Sequence, residues 1–150
     1  PQAFRIYEAM EGRLPLLVHT GDNRHFLSDP ARMARVLDHF PRLTAICAHL
    51  GGWSQWEKAQ HELVGRENVY VDTSSSLYAL DPLRARAMIR AFGVDHVFFG
   101  TDYPMWDCGE ELRRIDALGL EPWEKEAILH GNAEKFLGLE TDPRPETGQD

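Results

Sequence analysis

Short apolar runs alternate with amphipathic segments along the whole chain. Leu14–Val18 (LPLLV), Leu43–Ala48 (LTAICA), Val69–Val71 (VYV) and Val97–Phe99 (VFF) are apolar throughout rather than every second residue. Runs of that length and composition predict strands of a parallel sheet with both faces covered. Between them, apolar residues recur at helical spacing. Met33, Val36, Leu37 and Phe40 follow Ser28-Asp29-Pro30, a capping residue ahead of a first-turn proline. Trp53, Trp56, Leu63 and Val64 share one face of a helix that starts at Ser54-Gln55-Trp56-Glu57, the pattern of a capping box. Ala85, Met88, Ile89 and Phe92 face inward from a helix opened by Asp81-Pro82 and stopped by Gly93.

Further helices are predicted over the first dozen residues, Glu110–Leu118, Pro122–Leu129 and Ala133–Leu137, the last with Asn132 as its cap. Thr141–Asp150 reads as a polar, frayed tail. His19 and His49 lie 30 residues apart, as do Asp72 and Asp102, and about 30 residues is the size of one βα unit. The fold class expected is α/β.

What stands immediately after each strand carries the chemistry. The four runs end in His19-Thr20-Gly21-Asp22, His49-Leu50-Gly51-Gly52, Asp72-Thr73-Ser74-Ser75 and Gly100-Thr101-Asp102-Tyr103-Pro104. Parallel α/β sheets and barrels bind their ligands at that carboxyl edge. Imidazoles and carboxylates gathered there suit a divalent metal or a general acid/base pair. His25, in the loop after His19, is placed to reach substrate, and Trp106, in the loop after Asp102, to line a pocket. Asp72 reads as a loop or helix cap. Cys47 reads as a small buried thiol on the same side of its strand as His49.

Composition narrows the function classes. Sixteen basic against 24 acidic residues give a net charge of −8, with the acidity concentrated in the second half, so no basic stripe awaits a nucleic acid. No apolar run approaches a membrane span. Neither GxGxxG nor GxxxxGK[ST] occurs, which disfavours a nucleotide-binding open sheet. No secretory leader opens the sequence. Two cysteines without CxxC spacing read as reduced thiols, so a cytoplasmic location is expected.

The ordered motifs LLVHTGD, AHLGG, VYVDTSS, FFGTDYPM and GNAEKFLGL closely resemble the amidohydrolase superfamily over residues 1 to about 140. Within it they are most similar to the amidohydrolase-related branch, which includes aminocarboxymuconate-semialdehyde decarboxylase and the resorcylate decarboxylases. That resemblance implies a (β/α)₈ barrel with one divalent metal at its carboxyl face, zinc or else manganese. It implies His19 as the fifth-strand metal ligand and His49 as the sixth-strand residue that orients or protonates substrate. Asp102 matches the eighth-strand aspartate that binds metal and handles the proton of its water. His25 and Trp106 remain substrate-binding candidates.

The family's first-strand His-x-His pair does not occur here, and nothing corresponds to the first four βα units. The chain therefore reads as the carboxyl-terminal half of the barrel, with strands five to eight. Its unpaired edges predict association with another copy or with the missing half. The expected activity is metal-dependent hydrolysis of a small carbonyl-containing substrate, complete only in a whole barrel. Non-oxidative decarboxylation and a non-catalytic half-barrel assembly unit are the alternatives.

Overall fold

The structure, a computed structural model, describes residues 2–139. Its centre is a four-stranded sheet in which every strand is parallel to the next, in the order β1 (Leu16–Val18), β2 (Ala45–Cys47), β3 (Val69–Asp72), β4 (Val97–Phe98). The helices are α1 (Gln2–Met10), α2 (Pro30–His39), α3 (Trp56–Leu63), α4 (Pro82–Phe92), α5 (Cys108–Ala117), α6 (Pro122–Glu126) and α7 (Asn132–Leu137). The strands are the predicted ones: β1, β2 and β4 are shortened by one to three residues where their ends feed loops, and β3 runs one residue further, to Asp72. The predicted tail, Thr141–Asp150, lies outside the described residues.

Register sorts the side chains into two layers. Ala45, Cys47, Val69, Val71 and Val97 are buried against the helices, with Leu16 and Val18 packed beside them at the edge. Leu37 of α2, Leu63 of α3 and Met88 and Ile89 of α4 complete this core, each nearly or fully enclosed. The aligned row Leu17, Ile46, Tyr70 points the other way. Leu17 is 67% exposed, whereas Tyr70 stacks on His96 (4.6 Å) and Phe98 (5.4 Å) under the edge of Phe136 from α7. The apolar strands predicted a sheet covered on both faces; among the described residues the inner face is covered only on the β3–β4 side, and the β1 side is open.

Helix ends follow local chemistry. Asp29 accepts the Ala31 N–H at 2.9 Å with Pro30 in the first turn, and Asp81 caps Leu83 and Arg84. Two expected caps are absent. The Ser54 hydroxyl accepts the Asn23 N–H instead, so α3 starts after Gln55 without a capping box. Asn132 caps nothing: α6 runs through a π-helical turn (Ala127–Gly131) into α7, and the Asn132 amide donates to the Val94 and Val97 carbonyls at 2.7 and 2.8 Å. The helix was already formed upstream, so no free N–H awaited a cap there, whereas the carbonyls bordering β4 did await a donor. Among the described residues no helix is long and apolar enough to cross a membrane.

Candidate active site

All four strand-end loops open into one cavity of about 640 Å³, a size typical of small-molecule sites. His19, His49, Asp72, Ser74, Ser75 and Asp102 line its floor. Trp53, Tyr78 and Trp106 wall it: Tyr78 and Trp106 stack at 4.5 Å, and the Trp53 indole donates to the Tyr78 hydroxyl. Of the residues singled out in the sequence, His19, His49, Asp102 and Trp106 thus converge. His25 does not line the cavity; from the same loop Asp22 and Arg24 do. Hydrogen bonds from the Arg24 guanidinium and backbone N–H to the Asp22 carboxylate hold its pKa down to about 2, so it is ionised at neutral pH.

The backbone at the floor is unusual. His49 (φ 64°), Ser75 (φ 46°) and Asp102 (φ 61°) all adopt the left-handed region. For residues other than glycine this costs about 1 kcal/mol or more each and persists only where surroundings over-determine it. The left-handed turn also explains why Cys47 and His49 part company. Strand alternation stops at Cys47, which stays in the helix-facing core, and the chain then swings His49 to the cavity. Burial pushes the Cys47 thiol up to about 12 and leaves it inert. Gly21 is needed for a different reason: a Cβ there would sit 2.4 Å from the Trp53 backbone nitrogen, where the first two loops bridge.

The two histidines touch. His19 Nδ1 lies 2.9 Å from His49 Nε2, and His19 Nε2 lies 2.8 Å from the Gly21 carbonyl. A carbonyl only accepts, so His19 carries its proton on Nε2. The contact between the rings then requires a second proton shared on the line joining them. Asp102 Oδ2 accepts from the Ser75 hydroxyl at 2.6 Å, and the Trp106 indole donates to that same hydroxyl at 3.0 Å. Behind Trp106, the Arg114 guanidinium lies 5.0 Å over its ring and pairs with the fully buried Glu111. Burial raises the Glu111 pKa against the lowering effect of Arg114.

A catalytic zinc has three protein ligands as a rule. Among the described residues no three His, Cys, Asp or Glu side chains are grouped to hold a metal ion, and both nitrogens of His19 are engaged within the chain. The residues present therefore do not constitute a metal site by themselves. Sequence reasoning missed Ser74, Ser75, Asp22, Arg24 and Tyr78. Asp22 and the two serines left a trace, as polar residues in the runs after β1 and β3, whereas Arg24 and Tyr78 left none.

The amidohydrolase family model matches residues 1–139. Among solved structures, an uncharacterized TIM-barrel protein from Bordetella bronchiseptica is 32% identical with a TM-score of 0.75, over 90% of this chain and 50% of that one. A 2,6-dihydroxybenzoate decarboxylase bound to 2,6-dihydroxybenzoate is 18% identical with a TM-score of 0.69, over 93% and 56%. A dihydroxybenzoic acid decarboxylase from a Polaromonas species, holding manganese and 2-nitroresorcinol, is 16% identical with a TM-score of 0.61, over 84% and 50%. This chain spans about half the length of these structures. The fold is thus the carboxyl-terminal half of a (β/α)₈ barrel. None of the curated proteins matches the chain.

Proposed function

The chain belongs to the amidohydrolase family, and from that premise we propose that it supplies the proton-handling half of a hydrolase site for a small carbonyl-containing substrate. The observation that carries this reading is the meeting of His19, His49 and Asp102 from three separate strands on one cavity. Asp102, whose Oδ1 accepts no hydrogen bond among the described residues, takes a proton from attacking water as a general base. The proton shared by His19 and His49 is delivered to the leaving group. Such positioned groups contribute about 10²–10⁴-fold each. The divalent metal, zinc or manganese, would need ligands from outside this chain and belongs to the complete barrel. The rest of that barrel, or a second copy, would cover the open β1 side. The two unpaired thiols agree with a cytoplasmic setting.

Decarboxylation is the second reading, favoured by the aromatic wall of Trp53, Tyr78 and Trp106, which suits a flat ring. The carbon–carbon electron pair would stay on the ring as carbon dioxide leaves, and the shared imidazole proton would join that carbon. Two of the solved structures named above are decarboxylases of hydroxylated benzoates. Incubating the complete barrel with esters, lactones and amides, and separately with hydroxybenzoates, decides between the two. Hydrolysis that His49→Ala reduces by about 10²-fold or more supports the first reading. Release of carbon dioxide with no hydrolysis replaces it with the second.

A further inference from the structure

The run Asp72-Thr73-Ser74-Ser75 has no part in the chemistry just described, yet its side chains touch both proton-handling groups. Asp72 Oδ1 accepts three hydrogen bonds, from the His49 N–H (3.1 Å), the Ser74 N–H (3.0 Å) and the Ser74 hydroxyl. A hydroxyl has one proton to give. With that proton committed to a carboxylate, Ser74 Oγ can only accept from His49 Nδ1, 3.0 Å away. The Ser74 carbonyl, also 3.0 Å from Nδ1, can likewise only accept. Two acceptors facing one nitrogen leave no freedom: Nδ1 of His49 carries a proton, and Nε2 is the atom turned to His19.

Ser75 is governed by the same bookkeeping in reverse. An indole N–H only donates, so the Trp106 contact occupies Ser75 Oγ as an acceptor. The Ser75 proton is then directed to Asp102 Oδ2, which leaves Oδ1 as the oxygen without a hydrogen bond among the described residues. The left-handed backbone at Ser75 makes this division possible, since it turns consecutive side chains toward different neighbours. Gly100 lets β4 pass close by, with a Cβ there only 3.3 Å from that of Ser74.

We propose that Asp72, Ser74 and Ser75 are positioning residues: Asp72 and Ser74 lock His49 as the Nδ1–H form, and Ser75, held by Trp106, selects which oxygen of Asp102 faces the site. The roles of His49 and Asp102 rest on the reading above; the proton positions rest on hydrogen-bond geometry alone. They are therefore tested on the chain itself, without any activity, by ¹⁵N NMR of histidine- and tryptophan-labelled protein. His49, assigned by comparison with His49→Gln, shows a directly bonded proton on Nδ1 with slowed exchange. A pyridine-like Nδ1 overturns the proposal, whatever any variant does.

Asp72→Ala frees the Ser74 hydroxyl to compete for Nδ1, and protection of that proton falls about tenfold, the value of one hydrogen bond, while Asp72→Asn, which keeps an acceptor oxygen, restores it. Ser75→Ala moves the Trp106 indole N–H resonance upfield, and Ser75→Thr returns it. Unchanged His49 protection in a folded Asp72→Ala protein, or an unmoved indole resonance in Ser75→Ala, overturns the corresponding half. If these arms succeed and the complete barrel proves inactive, the functional reading fails and the positioning device stands.

Discussion

Replacing Asn132 by aspartate separates two roles that one residue could play. As a helix cap, an Asp side chain serves about as well as Asn, so a capping role predicts near-neutrality. In the structure, however, the Asn132 amide donates to the carbonyls of Val94 and Val97 at 2.7 and 2.8 Å, and the residue is only 9% exposed. A carboxylate has nothing to donate and would set its charge against two carbonyl oxygens. Two hydrogen bonds at about 0.5–1.5 kcal/mol each, with a buried acceptor left unpaired at about 1–3 kcal/mol, put the loss at roughly 2–6 kcal/mol. Asn132→Ala should lose nearly as much, and Asn132→Asp at least as much. Urea unfolding followed by tryptophan fluorescence measures this as a shift of midpoint at constant slope. For a chain of this size the melting temperature would fall by about 4–24 °C. An Asn132→Asp protein within about 0.5 kcal/mol of the parent would refute the donor role and reinstate the cap.

Gly21→Ala should fail to fold or lose the cavity, since its Cβ would collide with Trp53 backbone; circular dichroism and soluble yield check this. At neutral pH a thiol reagent should label the exposed Cys108 and spare Cys47, whose burial holds its pKa near 12, until denaturant is added. Asp29 is pulled both ways: burial raises its pKa, but Lys58 and the α2 backbone N–H groups outweigh that and leave it lowered. Its stabilising effect is therefore full above the ordinary carboxylate range and fades as the pH falls through its lowered value. Asp29→Ala should cost about 1–2 kcal/mol at pH 7 and progressively less in acid, by urea titration at a series of pH values. Equilibrium dialysis of the chain against zinc or manganese should find no stoichiometric retention, for want of three grouped ligands.

The strand-end chemistry was legible because short apolar runs make the polar residues after each one conspicuous, and His19 with His49, like Asp72 with Asp102, stand there 30 residues apart. Helix caps were legible where the capping side chain meets its own helix, as at Asp29 and Asp81. What escaped depends on backbone turns with no glycine to announce them. The left-handed conformations of His49 and Ser75 cannot be read from their residue types, so neither the separation of Cys47 from His49 nor the division of labour between Ser74 and Ser75 was visible. Ser54 and Asn132 misled for a related reason. Each has the composition of a cap, but a distant partner, Asn23 or the β4 carbonyls, claims its side chain. His25 is a matter of which residues of one loop line the cavity, and residue type alone does not separate it from Asp22 and Arg24, which do.

The sheet order, β1 to β4 in the sequence of the chain, bears on how such a site can change over generations. Each strand pairs only with its predecessor and successor, and each delivers its polar group from its own strand–helix unit of about 30 residues. A unit can thus be altered, exchanged or copied without rerouting the strands of its neighbours. The rim groups themselves are tied from loop to loop: His19 to His49, His49 to Asp72 and Ser74, and Ser75 to Asp102 and Trp106. Changes at one strand end are therefore expected to be inherited together with changes at the next.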